Sequence, residues 1–243
     1  MKLLSIAMFF IASSACISSA GAGNVQIQVL DRDGKPVPDA VVALYPSASG
    51  STAAPSLLQA SPTIEQERMR FVPALTVVAP GTTIRFTNQD RWDHHVRGNA
   101  AGPVPTGAAA NEGFELRLAG RQDGQPAQTA DVTLRNPGVV LLGCHLHGSM
   151  RGHVFVADSA WTLKTDTDGI ARFASVPDGA AQLRVWHPEQ LVDLPRKGLQ
   201  VQAAPLLDKV QLSVVPRPRR PAPAPSAPAA APAGGGTAPH VHY

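Results

Sequence analysis

The stretch Gly143-Cys144-His145-Leu146-His147-Gly148-Ser149-Met150 makes a demand that no local structure can meet. The apolar run Val139–Leu142 leads into it and Val154–Val156 leads away. The turn signal Asn136-Pro137-Gly138 stands just upstream, so Val139–Cys144 reads as a buried strand that ends in a thiol. Three residues past Cys144 comes the imidazole of His147, and three further on the thioether of Met150. Two imidazoles and a thiolate in a trigonal set, with a long axial thioether, are the ligands of a type 1 (blue) copper centre. The loop offers one Cys, one His and one Met, so a second His must arrive from elsewhere. Phe86-Thr87-Asn88-Gln89-Asp90-Arg91-Trp92-Asp93-His94-His95-Val96 offers it. Any fold for this chain has to bring that distant segment against the Cys144 loop.

Other chemistries fit less well. A Cys-x-x-His step alone carries little weight, because a buried Cys is often a small hydrophobe. Zinc is the competing metal, but structural zinc sites use more thiolates and Met is not a usual zinc ligand. A c-type haem needs Cys-x-x-Cys-His, which is absent. Cysteine usage adds an independent reason for a metal. The two cysteines are Cys16 and Cys144, and Cys16 lies in a leader. Met1-Lys2, the apolar stretch Leu3–Ala12 and small residues to Ala22 have the order of a secretory signal peptide over residues 1–22, with cleavage after Ala20 or Ala22. Ser13-Ser14-Ala15-Cys16 partly matches a lipoprotein cleavage site, with Ser13 where Leu is usual. The apolar run is too short to span a bilayer and no second run follows, so a soluble, exported protein without a transmembrane segment is expected. Cleavage leaves Cys144 alone in an oxidising compartment, where a free thiol is reactive unless something holds it.

The net charge of +3 does not indicate a nucleic-acid partner. Removing Lys2 and the tail residues Arg217, Arg219 and Arg220 leaves −1 for the rest, since neither removed segment carries an acid. Residues 217–243 are mostly Pro, Ala and Gly and end Pro239-His240-Val241-His242-Tyr243. Such a composition cannot offset its ordering entropy, so a disordered tail is expected. Its two imidazoles either pick up copper or simply belong to a solvated terminus.

Between leader and tail the rhythm is strand and turn, without an amphipathic helix. Val25–Val29 alternates apolar and polar residues, Asp31-Arg32-Asp33-Gly34 turns, and Ala40–Leu44 returns. Ser47–Pro62 is a Ser/Ala/Pro/Gly-rich connector. Leu75–Val78 and Ile84–Phe86 flank Pro80-Gly81, Phe114–Leu118 alternates, and Val132 and Leu134 precede the strand into Cys144. Trp92–Gly113 reads as a long polar connection. Beyond the loop come Trp161–Lys164, Asp166-Thr167-Asp168-Gly169, Ile170–Phe173, Pro177-Asp178-Gly179, Gln182–Trp186 and a last strand near Val210–Val214. Short strands with frequent turns predict an all-β protein built of sandwiches.

A remote His followed by Cys-x-x-His-x-x-Met resembles the cupredoxins. The three-plus-three spacing is most similar to amicyanin, where plastocyanin has a longer gap before its Met. The upstream segment, leading with Asn88-x-Asp90 and ending His94-His95-Val96, resembles bacterial cupredoxins labelled methylamine utilization proteins. The resemblance implies a Greek-key β-sandwich over residues 62–158. Thr165-Asp166-Thr167-Asp168-Gly169, a strand and Pro177-Asp178-Gly179 resemble carboxypeptidase regulatory-like domains, whose opening strand, Asp/Gly turn and Ala-Val-Val strand match residues 24–44. Neither end of the chain has enough strands to close a core alone. A discontinuous sandwich of residues 24–46 plus 160–216, with the cupredoxin inserted, is therefore expected.

The resemblance also implies site roles: Cys144 as the thiolate, His94 and His147 completing the plane, and Met150 as the weak axial ligand of one copper ion. In relatives the ligand opens a His-Asn-Val step. Here that step reads His94-His95-Val96, which gives His94 the ligand position and His95 the Asn position. His147 is then the surface edge through which electrons pass. Relatives carry Asp-Trp where this chain has Gly148-Ser149, so the docking rim differs. His145 should point away from Cys144, and His153 should face out because Val154 and Val156 face in. The clustered histidines leave room for a second, weaker metal site. Asn88 either holds the loop bearing His94 or closes a turn. The implied function is a periplasmic one-electron carrier, not an enzyme, whose partner is another periplasmic redox protein. The alternative is a copper delivery or storage protein. Nothing in the sequence sets an oligomeric state.

Overall fold

The computed structural model describes residues 21–47, 58, 60–102 and 109–217. Residues 1–20 of the leader, with Cys16, most of the Ser47–Pro62 connector, and residues 218–243 of the tail, with His240 and His242, lie outside the described residues. All regular structure among the described residues is β. β1 (Ala22–Leu30) and β2 (Val41–Pro46) open the chain. The middle holds β3 (Thr63–Gln66), β4 (Phe71–Val72), β5 (Leu75–Val78), β6 (Thr82–Asn88), β7 (His94–Ala101), β8 (Phe114–Leu118), β9 (Thr129–Leu134), β10 (Gly138–Cys144) and β11 (Arg151–Val156). β12 (Trp161–Lys164), β13 (Ile170–Pro177), β14 (Gly179–Trp186), β15 (Lys197–Val201) and β16 (Leu206–Gln211) follow. No helix among these residues is long and apolar enough to cross a membrane.

The strands form four sheets. Two contain only strands from the chain ends: β13-β1-β16, and β12-β2-β14-β15. They share one core, to which β1 contributes Val25, Ile27 and Val29 on the period of two that a strand imposes. Phe173 lies beside Val25 in the same sheet, and Val42 and Leu44 from β2, with Leu183 from β14, face them across the sandwich. The other two sheets, β4-β3-β6-β9 and β5-β11-β10-β7-β8, come from the middle of the chain and enclose a second core. Burying each Val, Leu, Ile or Phe completely contributes about 1.5–3 kcal/mol, so each sandwich has its own source of stability. The turn before β13 depends on Gly169, at φ +71°, because a Cβ there would come within 2.6 Å of the Val29 carbonyl oxygen.

A third, smaller cluster joins the sandwiches: Val41 and Trp186 from one, and Leu75, Val139, Phe155 and Ala157 from the other. This cluster explains the burial of one strand and corrects one expectation. All of Val41–Leu44 is buried, rather than every second residue, because β2 is covered on both faces. His153 does lie opposite Val154 and Val156, but it does not face open solvent. It is half-buried, with its ring 5.8 Å from that of Trp186 on the neighbouring sandwich. Three further corrections concern strands. The Trp92–Gly113 connection contains β7, whose inward positions are His94, Val96 and Gly98. Gly98 is needed because the Phe114 ring fills the place its Cβ would take, so hydropathy alone does not reveal the strand. The last strand ends at Gln211, short of Val214, and β15 stands beside β14 where no strand was expected.

The two ends of the middle segment meet. Trp161 pairs across from Leu44, and Ser159 donates its hydroxyl to the Leu44 carbonyl. Replacing residues 48–159 by a short Gly/Ser linker should therefore leave a folded β-protein, less stable than the parent because Val41 and Trp186 lose their cover. Circular dichroism and a cooperative melt test this, and a chain without a thermal transition refutes it. Tyr45 supplies a pH test. Its hydroxyl donates to Asp158, and burial, reinforced by that carboxylate, raises its pKa to about 12. The unfolded chain releases the same proton near pH 10. The stabilisation is thus complete below pH 10 and should fall away as pH rises to about 12. Denaturant titrations across this window should show the loss in the wild type and a smaller slope in Tyr45→Phe.

Candidate metal centre

β7 and β10 run antiparallel in the five-stranded sheet, with Val96 opposite Cys144. The start of one strand therefore lies beside the end of the other. Side chains alternate, so His94 and Val96 share the inner face with Cys144, while His95 faces the other way. The backbone N–H of His145 donates to the His95 carbonyl at 2.9 Å and extends the ladder one step past Cys144. The chain then turns through Leu146–Ser149, closed by the Met150 N–H donating to the His147 carbonyl at 2.9 Å, and enters β11. This turn brings His147 back over Cys144.

Three ligand atoms converge as a result. Cys144 Sγ lies 3.6 Å from His94 Nδ1 and 3.5 Å from His147 Nδ1, and the two nitrogens are 3.2 Å apart. His94 and Cys144 are buried, and His147 is partly exposed. The point equidistant from the three atoms lies about 2.0 Å from each, which is the length of a metal–imidazole bond, about 2.0–2.1 Å. Met150, 1 % exposed, belongs to the same buried cluster as Cys144. The structure thus brings His94, Cys144 and His147 together and puts Met150 in the core beneath their loop. A soft thiolate with two imidazoles suits copper or zinc, and an adjacent thioether tilts the set toward copper.

The sequence reading assigned no role to Asp90, yet it fixes His94. The His94 Nε2–H donates to Asp90 Oδ2 at 2.9 Å, which leaves Nδ1 as the lone-pair nitrogen facing Cys144 and His147. Asp90 is itself held. It accepts from the backbone N–H of Arg68 at 2.6 Å and of Met69 at 2.9 Å, the turn residues between β3 and β4. Asn88 fills both roles open to it. Its Oδ1 accepts from the Asp90 N–H, closing a turn, and its Nδ2 donates to the carbonyls of Trp92, Leu118 and Ala119. The readable signal was an acid four residues before a His on a turn-rich segment.

The surroundings differ in polarity. Leu146, Trp92 and Met69 are large apolar side chains left exposed, with Leu146 on the loop itself. His95 and His145 stand on the outer face, with ring centroids 5.6 Å apart. His95 Nε2 pairs with Glu115 Oε2 at 3.1 Å.

No protein-family model matches the sequence, and a comparison with curated proteins returns no match. Solved structures do align with it. A variant of amicyanin in the Cu(I) state is 16% identical with a TM-score of 0.31, over 48% of this chain and 98% of that one. Amicyanin from Paracoccus versutus is 19% identical with a TM-score of 0.29, over 47% of this chain and 97% of that one. A Cu-containing nitrite reductase from Thermus scotoductus is 23% identical with a TM-score of 0.32, over 46% of this chain but only 25% of that one.

Asp90 generates the test of this geometry. Asp90→Ala frees the His94 ring to rotate and takes the acceptor from its buried Nε2–H and from the Arg68 and Met69 N–H groups. Metal affinity should fall about 10–100-fold, the usual effect of removing a partner that orients a ligand. Competition with a chelator of known affinity measures it, and an unchanged affinity would mean that Asp90 does not position His94.

Proposed function

We propose that this protein is a type 1 copper protein that carries single electrons in the periplasm and is not itself an enzyme. The observation that carries this reading is the triangle of His94 Nδ1, Cys144 Sγ and His147 Nδ1, with sides of 3.2–3.6 Å. Copper bound there would supply a one-electron couple, held between the geometries its two oxidation states prefer. The chain's own residues do the rest. His94, locked by Asp90, and buried Cys144 resist rearrangement when the charge of the centre changes. Met150, buried in the same cluster as Cys144, would offer the ion a weak thioether donor and so tune its potential. His147 reaches the surface and Leu146 beside it is 56 % exposed, which makes this edge the place for electrons to enter and leave. The partner is another periplasmic redox protein docking on that rim.

Burial of His94 (1 % exposed), Cys144 (5 %) and Met150 (1 %) favours a carrier over a protein that hands its copper on, because transfer to an acceptor requires ligands that can be reached. Export through the leader over residues 1–22 accounts for the periplasmic location. The Cys144–His147–Met150 spacing and the upstream His94 support placing the middle sandwich among the cupredoxins.

The decisive measurement is the visible spectrum of the protein with bound Cu(II). An intense thiolate-to-copper band should appear and should vanish in Cys144→Ser, which keeps the fold. Native protein purified with zinc, or a band that survives in the variant, would overturn the copper assignment.

A further inference from the structure

The outer face of the same sheet, behind the triangle, carries a second group of donors. His95 and His145 stand opposite one another across the extension of the β7–β10 ladder, held by the His145 N–H to His95 carbonyl bond. Their rings meet edge to face. Residues paired in this way have Cβ atoms about 4.5–5.5 Å apart, within the bite of two imidazoles on one ion. On the neighbouring strand β8, Glu115 turns Oε2 toward His95 Nε2, 3.1 Å away, and is anchored by Arg97 Nε on Oε1 at 2.9 Å. His94 and His147 belong to the inner triangle and Met150 to the core, so neither ring on this outer face has a part in the first centre.

We propose that His95, His145 and Glu115 form a second metal site, for a divalent transition cation with Cu(II) preferred. His95 Nε2 and Glu115 Oε2, hydrogen-bonded at 3.1 Å, are also spaced so that both could bond one ion at about 2.0–2.2 Å across roughly a right angle. Arg97 keeps the carboxylate oriented while leaving its second oxygen for the metal, the role outer partners play around bound ions. Among the described residues only His94, Cys144 and His147 already bring three ligand atoms within 4.8 Å of one another; His145 is exposed on the loop, and a turn of its ring would close the second set. A groove of about 360 Å³, lined by Arg97, Asn99, Gly143, His145 and Arg151, opens beside it and admits the water or anion that completes coordination. Among divalent first-row ions, Cu(II) binds such a nitrogen/oxygen set most tightly. The site is solvent-accessible, hence weaker than the buried triangle. Its His145 is bonded through one peptide to Cys144, so a cation there acts electrostatically on the first centre.

The probe is Cu(II) alone, titrated into the full chain and followed by calorimetry, visible absorption and electron paramagnetic resonance. The wild type should take two equivalents, the second without the thiolate band and with nitrogen ligands in its resonance signal. His95→Ala and His145→Ala should each weaken the second equivalent by about tenfold or more and keep the first. Cys144→Ser should lose the coloured first equivalent and keep the second, which separates failure of this site from failure of the copper assignment above. Replacing His240 and His242 together by Ala should change neither. One equivalent in the wild type, a second equivalent unaltered in both His95→Ala and His145→Ala, or its loss with the tail histidines would each overturn the proposal. If His95→Ala does not fold, His145→Ala decides the matter, because that side chain is exposed on a loop.

Discussion

Two imidazole nitrogens and a sulfur face one another at 3.2–3.6 Å in a pocket largely closed to water, and holding these three side chains together governs the structure around them. Nδ1 of His94 carries no hydrogen in this arrangement, because Nε2 spends its hydrogen on Asp90. Nitrogen, nitrogen and sulfur set this close need either a cation between them or a proton on His147 Nδ1 or Cys144 Sγ to satisfy them. The scaffold has to hold these side chains in place. It does so with bonds that end on backbone: Asp90 on Arg68 and Met69, and Asn88 on Trp92, Leu118 and Ala119. Each reaches a different strand connection, so moving His94 disturbs the β3–β4 turn and the end of β8 together.

The readable parts of the sequence were those where a single period or spacing decides the outcome. The Cys144–His147–Met150 steps lie on one tight loop, so their spacing already limits their geometry. The alternation at Val25–Val29 and the turn at Asp166–Gly169 belong to single elements in the same way. The contribution of Asp90 was hidden because it acts through space on the β3–β4 turn, and nothing in its own neighbourhood marks that partner. β7 was hidden for another reason. Its inward side is His94, Val96 and Gly98, two of which look polar or empty until the pocket and Phe114 are in place.

The small cluster between the sandwiches shows how tertiary cover overrides an alternating pattern. Phe155 and His153 lie on the outer face of the five-stranded sheet, and Trp186 of the neighbouring sandwich meets both rings. A sheet face that would be polar in a lone sandwich becomes half apolar where a neighbour covers it. Further along the same face, toward the Cys144 loop, the residues turn polar again with Arg97, Arg151, His95 and His145. One sheet thus serves as a joint at one end and as a polar, solvent-facing surface at the other.

The return of the chain to β2 after β11 also sets an order of synthesis. β1 and β2 emerge from the ribosome first, but their partners β12, β13, β14 and β16 lie on the far side of the middle segment. At about 5–20 residues per second, the wait is on the order of ten seconds. During it β1 and β2 present unpaired edges, while β3–β11 already contain every strand of the inner sandwich and all the ligands of the triangle. The part that carries His94, Cys144 and His147 is thus complete before the part that encloses it in sequence. Closing the outer sandwich then joins strands whose ends the inner one has already brought together, which removes most of the loop-closure entropy that so long an insertion would otherwise impose.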